Sequence, residues 1–484
     1  MFLLTGSRAS RRNPRRSMRA CAGLAIAAGA SALLSISPAA GADTPARVFV
    51  GDGRGGIVEA DAERLMAKAY DRREMRVIVE LRSTFQPEGE LSLFGAANQR
   101  AAIADLQDRV LRKAAGARDI RQYRSVPMVA MTVSAGRLPV LLRDWDVRAV
   151  YEDVAVPPTL DVSVPLVRAD VTGDLRRVND GKGWAVVVLD TGVQRGHPSL
   201  RRKIVSEACY STTSADSRSL CPGGAQSSTA RRSGRNCKLS ISGCGHGTHV
   251  AGIAVGNPRG TGVAYKGVAR KASLIPIQVF SRFTGAYCTS SSPCALSYTS
   301  DQLEALERVN ELASTTRIGA VNMSLGGGLT ARACKNNPLR PIIRTLRSKA
   351  IPVVVAAGND GADGRLSAPG CVPEAVTVAS TTKSDDVSSF SNFSNRVDLA
   401  APGSDITSSV PRNTFVTLSG TSMATPHVAG AWTLLRRASP KASHRKILRA
   451  LRCSGTWVTR GGVNKPRIDV YNAYLALRSG TCPA

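Results

Sequence analysis

Aromatic residues supply only 5% of this 484-residue sequence, and acidic side chains are outnumbered, 36 Asp and Glu against 65 Lys and Arg, for a formal charge of +29. So few aromatics leave little material for the stacking platforms on which single-stranded nucleic acids are held. The cationic excess is mostly arginine scattered through every segment, with no basic helix. It reads as a solvated basic surface rather than a nucleic-acid footprint, with weak adhesion to an anionic envelope as the alternative. No Cys-x-x-Cys pair occurs, which argues against a redox motif or a zinc ribbon. Beyond residue 36 no apolar run is long enough to cross a bilayer, and no internal repeat is visible. The apolar share of 43% still provides for a sizeable buried core.

The N-terminus has the pattern of an export signal. Arg8, Arg11, Arg12, Arg15, Arg16 and Arg19 precede the apolar run Ala20 to Ile36, and Ala40-Gly41-Ala42 offers a small-residue cleavage site. The expectation is a signal peptide over 1–42 and a secreted product, extracellular or periplasmic, with no membrane span in its mature form. A membrane anchor is the competing reading, weakened by a short run rich in Ala and Gly. Export by the general or the twin-arginine route stays open, because Asn13-Pro14 follows Arg11-Arg12. Met18 is an alternative start.

Cysteine usage agrees with an oxidising compartment. Of 11 cysteines, Cys21 lies in the removable segment, leaving an even set of ten. Neighbours in sequence suggest Cys209/Cys221, Cys237/Cys244, Cys288/Cys294, Cys334/Cys371 and Cys453/Cys482, although spacing alone does not determine connectivity.

Between Asp43 and about Leu160 the chain lacks cysteine and reads as a small α+β unit. Arg76 to Leu81 and Met128 to Val133 have strand character, Ala96 to Ala115 and Leu138 to Trp145 helical spacing, and Val147 to Val156 runs extended into Pro157-Pro158. From about Asp161 the texture changes. Short continuous apolar runs at Trp184 to Leu189, Ser273 to Phe280, Ala320 to Leu325, Ile351 to Ala357 and Ala375 to Ala379 predict parallel strands covered on both faces. Tyr298 to Ala313 and Met423 to Ala438 predict helices. This alternation implies a layered α/β domain whose site lies beyond the carboxyl ends of its strands. Ser206 to Gly245 is expected to be an irregular surface loop pinned by its cysteines.

Three segments carry the chemistry. Asp190 closes the buried Val-Val-Val-Leu run in Leu189-Asp190-Thr191-Gly192, where a carboxylate can be held rigidly to orient an imidazole. His246 opens His246-Gly247-Thr248-His249-Val250-Ala251-Gly252. Ser422 sits in Gly420-Thr421-Ser422-Met423-Ala424-Thr425-Pro426-His427-Val428-Ala429-Gly430, at the start of a helix whose positive end favours developing negative charge.

In their order Asp, His, Ser, these segments resemble the subtilisin-like (subtilase) serine protease family, over nearly everything from Asp161 to Leu477. The resemblance implies a layered subtilisin-like domain with a mostly parallel sheet covered by helices, acting as an endopeptidase through an acyl-enzyme. It also implies Ser422 as nucleophile, His246 as base and Asp190 as orienter. Asn359, in Ala356-Ala357-Gly358-Asn359, matches the family's side-chain donor to the oxyanion. Loss of one such donor costs about 100- to 1000-fold in turnover, a figure from a member of this same family and not a property derived for this chain. Ser324-Leu325-Gly326-Gly327 matches the edge segment that pairs with a substrate backbone, implying broad specificity for protein or peptide substrates. The segment 43–160 resembles the family's inhibitor-like propeptide, cut near Leu160, which leaves 161–484 as the catalytic domain and makes the precursor its own intramolecular inhibitor.

The other histidines read differently. His197, His249 and His427 are expected to be core residues and His444 exposed. Asp360 and Asp363 are candidates for favouring a basic residue in the first substrate pocket, with surface solvation as the plainer account. No cofactor is required for the chemistry. Ser199 stands where the family often has an acidic calcium ligand, so structural calcium is an open expectation with no assignable metal site. An esterase or lipase is a rival, disfavoured because the second Gly of G-x-S-x-G is missing. An inactive binding protein keeping the fold is another, disfavoured because no triad member is lost.

Overall fold

The computed structural model describes residues 49–50, 59–153, 155–156, 165–169, 180–258, 266–288 and 291–482. The signal segment 1–42 and the junction near Leu160 lie outside the described residues.

The N-terminal unit is one antiparallel sheet, in the order Phe49–Val50, Val147–Glu152, Glu74–Leu81, Met128–Ser134, Arg118–Gln122. Strand side chains alternate between faces, yet Val77, Ile78 and Val79 are all fully buried. Val77 and Val79 pack with Leu65 of the helix Glu59–Arg72 and with Leu106 and Val110 of the helix Leu93–Lys113. Ile78 faces the other way, into a cluster shared with Leu303 and Leu306 of the helix Thr299–Leu312. The sheet is therefore filled in by the unit's own helices on one side and by the rest of the chain on the other. The strand Phe49–Val50, the helix Glu59–Arg72 and the strand Arg118–Gln122 were not read from sequence; in the last, RDIRQ carries a single apolar residue, Ile120, which is itself exposed.

The second sheet has ten strands, in the order Ser227–Ser228, Ala208–Tyr210, Ser273–Gln278, Ala185–Asp190, Ile318–Met323, Val353–Ala356, Val376–Thr381, Leu399–Pro402, Val463–Arg467, Thr456–Arg460. All run parallel except the two outermost. Its core strand shows why continuous apolar runs were needed. Val186 and Val188 pack beneath the helices His246–Val255 and Thr421–Ala438. Val187 and Leu189 pack beneath Thr299–Leu312 and Arg340–Ser348. Each such fully buried side chain contributes roughly 1.5–3 kcal/mol of transfer free energy. The chain leaves Ala185–Asp190 to add Ser273–Gln278 on one side and Ile318–Met323 on the other. That reversal of strand order opens a crevice at the carboxyl end of the aspartate strand, which is where such sheets place their sites.

The stretch from Ser206 to Gly245 is more ordered than a surface loop. Ala208–Tyr210 is a buried strand of the main sheet, and Ser217–Ser219 joins a second, four-stranded sheet. Each strand is only three residues long, too short to show a period in the sequence.

All five disulfides join the neighbours that spacing suggested: Cys209–Cys221, Cys237–Cys244, Cys288–Cys294, Cys334–Cys371 and Cys453–Cys482. Their loops differ in length, 37 residues of separation for Cys334–Cys371 against 7 for Cys237–Cys244. If loop entropy dominates, removing the longer bridge by Cys334→Ala with Cys371→Ala is expected to lower the unfolding free energy by about 4 kcal/mol. Removing the shorter one is expected to cost about 2 kcal/mol on the same basis. Denaturant titration reads the difference, and equal losses would contradict this origin.

Candidate active site

Asp190 is the last residue of the central strand and is fully buried. Its Oδ1 accepts from the backbone N–H of Thr191 at 2.7 Å, and both carboxylate oxygens face Nδ1 of His246, at 2.7 and 2.8 Å. The two side chains are each 1% exposed, so the contact is sheltered from solvent screening. His246 begins its helix after Gly245, whose φ of +110° is a conformation that favours glycine. Gly247 explains the close approach. A Cβ there would fall 2.4 Å from the carbonyl oxygen of Gly192 and 3.1 Å from Cβ of Asp190. With a carboxylate at Nδ1, the ring carries its proton there, and Nε2 becomes the basic nitrogen.

Ser422 is the second residue of an 18-residue helix, Thr421–Ala438. Its Oγ donates to the carbonyl oxygen of Ser324 at 3.1 Å. Ser324 follows Met323, which pairs in register with Leu189, the residue before Asp190. Carboxylate, imidazole and hydroxyl are thereby gathered at one rim of the sheet. Pro426 adds a local feature. Having no N–H, it cannot bond the carbonyl of Ser422 four residues back, and that carbonyl instead accepts from the hydroxyl of Ser324 at 2.7 Å. Ser422 is thus tied to Ser324 through two separate oxygens.

Asn359 stands beyond the end of the strand Val353–Ala356, after Gly358 with φ +106°. Its Oδ1 accepts from both the backbone N–H and the hydroxyl of Thr421, each at 2.8 Å. With the oxygen committed, the amide NH₂ is the end available as a donor, and the link runs to the residue directly before Ser422. Ser324 and Leu325 are fully buried, backbone included, while Gly326 is partly exposed. The strand Gly327–Thr330 that follows pairs with Leu366–Ala368.

The remaining histidines are all buried. His197 Nε2 contacts the carbonyl of Thr414, His249 Nε2 that of Val416, and His427 Nδ1 that of Met423. His444 corrects the expectation of an exposed residue: it is 6% exposed and its ring lies 4.9 Å from that of Trp432. The surface-like sequence around it, Ser443-His444-Arg445-Lys446, conceals this because only one face of its helix is solvated. Asp360 and Asp363 are engaged within the fold. Asp360 accepts from Asn392 and Asp363 pairs with Arg460, each at 2.8 to 2.9 Å, an arrangement that favours loop tethering over a pocket role. Among the described residues no group of three or more His, Cys, Asp or Glu could hold a metal, and no helix is long and apolar enough to cross a membrane.

A parallel sheet whose rim gathers an acid, an imidazole and a helix-borne hydroxyl has the layout of a serine hydrolase. Residues 181–465 match the model of the subtilase family. Thermitase of Thermoactinomyces vulgaris is 33% identical over 293 residues, 59% of this chain and 88% of the relative. The major intracellular serine protease of Bacillus subtilis strain 168 is 32% identical over 272 residues, 55% of this chain and 72% of the relative. An alkaline protease of Alkalihalobacillus alcalophilus is 29% identical over 361 residues, 74% of this chain and 81% of the relative. The chain belongs to the subtilase family and is a serine-type endopeptidase. Its family chemistry acts on protein substrates and needs no cofactor.

Sequence reasoning did not identify Thr421 as the partner of Asn359, nor Asn392. The first lies inside a quoted motif, whereas the second has no local signal.

Burial holds the rings of His249, His427 and His444 neutral, with pKa values pushed down to about 3. An imidazole titrates near 6.5 when solvated. Stability from these groups is therefore complete above about pH 6.5 and is lost as pH falls towards 3. Among the described residues neither ring nitrogen of His444 has a hydrogen-bond partner, so His444→Leu is expected to flatten the acid limb by about one proton between pH 6 and 4. Urea titrations at successive pH values measure this, and an unchanged slope would count against a neutral, buried His444.

Proposed function

We propose that this protein is an exported subtilase made as an autoprocessed precursor, with Ser422, His246 and Asp190 as its triad. The observation that carries the reading is the buried Asp190–His246 hydrogen bond at the strand-order reversal, on the rim where Ser422 meets Ser324. In the reaction, Ser422 Oγ attacks the scissile carbonyl carbon while His246 Nε2 takes its proton. Asp190 holds the imidazolium in orientation. The tetrahedral oxyanion accepts from the Asn359 amide and the backbone N–H of Ser422. The C–N bond breaks as His246 passes the proton to the leaving amine, giving the acyl-enzyme. Water then attacks the ester, its proton going to His246 and back to Ser422. Substrate backbone adds as a strand along Ser324 to Gly326, which selects for an extended peptide more than for sequence.

The N-terminal unit, 43–160, is proposed to be the inhibitor-like propeptide. Several features support it. The short strand Ala155–Val156, just beyond the unit's own sheet, pairs with Ser297–Tyr298 of the catalytic part. Asp153 accepts from the N–H of Ser300 at 2.8 Å, in the first turn of Thr299–Leu312, where a carboxylate is favoured. Arg121 bridges Asp301 and Glu304 on the same helix at 2.5 and 2.8 Å. The match to the alkaline protease covers 74% of the chain, more than the segment from 161 onward can hold, so the relationship reaches into this unit. The pattern at 1–42 supports export.

Ser422→Ala is expected to abolish peptide hydrolysis and to leave the precursor at full length on expression, read by gel and intact mass. A normally cleaved product would remove self-processing from the proposal. Loss of labelling by a fluorophosphonate probe in the same variant tests the nucleophile separately. Asn359→Ala is expected to keep the probe-reactive fold while lowering turnover about 100- to 1000-fold.

A further inference from the structure

We propose that Asn392 is a positioning residue for the oxyanion site, holding the loop that carries Asn359; this rests on the reading of Asn359 as oxyanion donor. Asn392 is 0% exposed, and its side chain uses both ends of its amide on that loop. Its Oδ1 accepts from the backbone N–H groups of Asp360 and Ala362, each at 3.0 Å. Its Nδ2 donates to the carbonyl of Ala357 at 3.1 Å, to Oδ2 of Asp360 at 2.9 Å and to Oγ of Ser367 at 3.2 Å. Its own backbone N–H donates to the carbonyl of Gly358 at 2.9 Å. Two N–H donors require an oxygen, and a carbonyl and a carboxylate require the NH₂, so the partners fix which way the amide faces.

The residues held are those on either side of Asn359: Ala357 and Gly358 before it, Asp360 and Ala362 after it. Gly358 has φ +106°, and a Cβ there would come within 2.3 Å of Asn392 Nδ2, so the loop lies against this amide as closely as sterics allow. Without these bonds, a loop beyond the end of a parallel strand could move by about an ångström without unfolding the sheet. An oxyanion donor that moves so far is no longer 2.7–3.1 Å from the charge it must meet. Thr421 grips the Asn359 side chain from the nucleophile's helix, and Asn392 grips its backbone neighbours from the opposite side. A well-buried amide of this kind costs little while every bond is made and much when one partner is lost. Nothing here places Asn392 in contact with substrate, so its effect passes through Asn359.

The test is a kinetic double-mutant cycle on the full processed enzyme with a fluorogenic peptide, comparing wild type, N359A, N392A and N359A/N392A. We expect N392A to lower kcat about tenfold or more with KM within about twofold, a loss confined to the transition state. In the N359A background the second substitution is expected to change kcat by less than about twofold, because the donor it positions is gone. Losses that multiply, or an effect on KM alone, would overturn the proposal. If N392A yields no folded protein, D360A takes its place in the cycle, since it removes one arm of the network at an exposed residue. Its expected loss of about threefold in kcat should vanish in the N359A background. No loss, or a loss that persists there, would overturn the proposal. A wild-type rate in N359A alone would instead remove the oxyanion reading, and this inference with it.

Discussion

The hydrogen bond between Asp190 and His246 is the constraint around which the catalytic part is arranged. An ionisable pair with both members 1% exposed is costly unless each is well satisfied. The carboxylate meets this by accepting from Thr191 as well as from the ring. Holding it there requires a strand buried on both faces, which Val186 to Leu189 supply, and a helix start close enough to reach it, which Gly247 allows. Packing on the two sides of the sheet is thus what sets the geometry of a single contact at its rim.

The serine side is built by a different device. Proline in the second turn of a helix would ordinarily leave a carbonyl unpaired. Here the hydroxyl of Ser324 fills that vacancy, and the carbonyl of the same Ser324 receives the serine hydroxyl. Strand end and helix start are cross-tied at Ser422 itself. Thr421 extends the tie to Asn359, so three chain segments distant in sequence share one hydrogen-bonded node.

Much of this could be read in advance. Asp190, His246 and Ser422 stand at element ends within sequence motifs, and continuous apolar runs marked the core strands because both faces of the sheet are covered. Sequential neighbours found the disulfides because each closes a local excursion. What escaped depended on partners that the local pattern does not record. Arg118–Gln122 is a strand only because Met128–Ser134 lies beside it. His444 is buried because Trp432 packs over it. Asn392 gives no local hint of its loop contacts, since those are made by backbone groups around residue 359 that no side-chain pattern records.

The sheet of the N-terminal unit is filled on one face by helices of its own and on the other by Thr299–Leu312 and its surroundings. Without that second partner, Ile78, Met128, Ala130 and Tyr151 would lose the apolar cover that the rest of the chain gives them. The unit thus owes part of its own cohesion to the surface it rests on, since bare apolar area of that kind invites association with whatever will cover it.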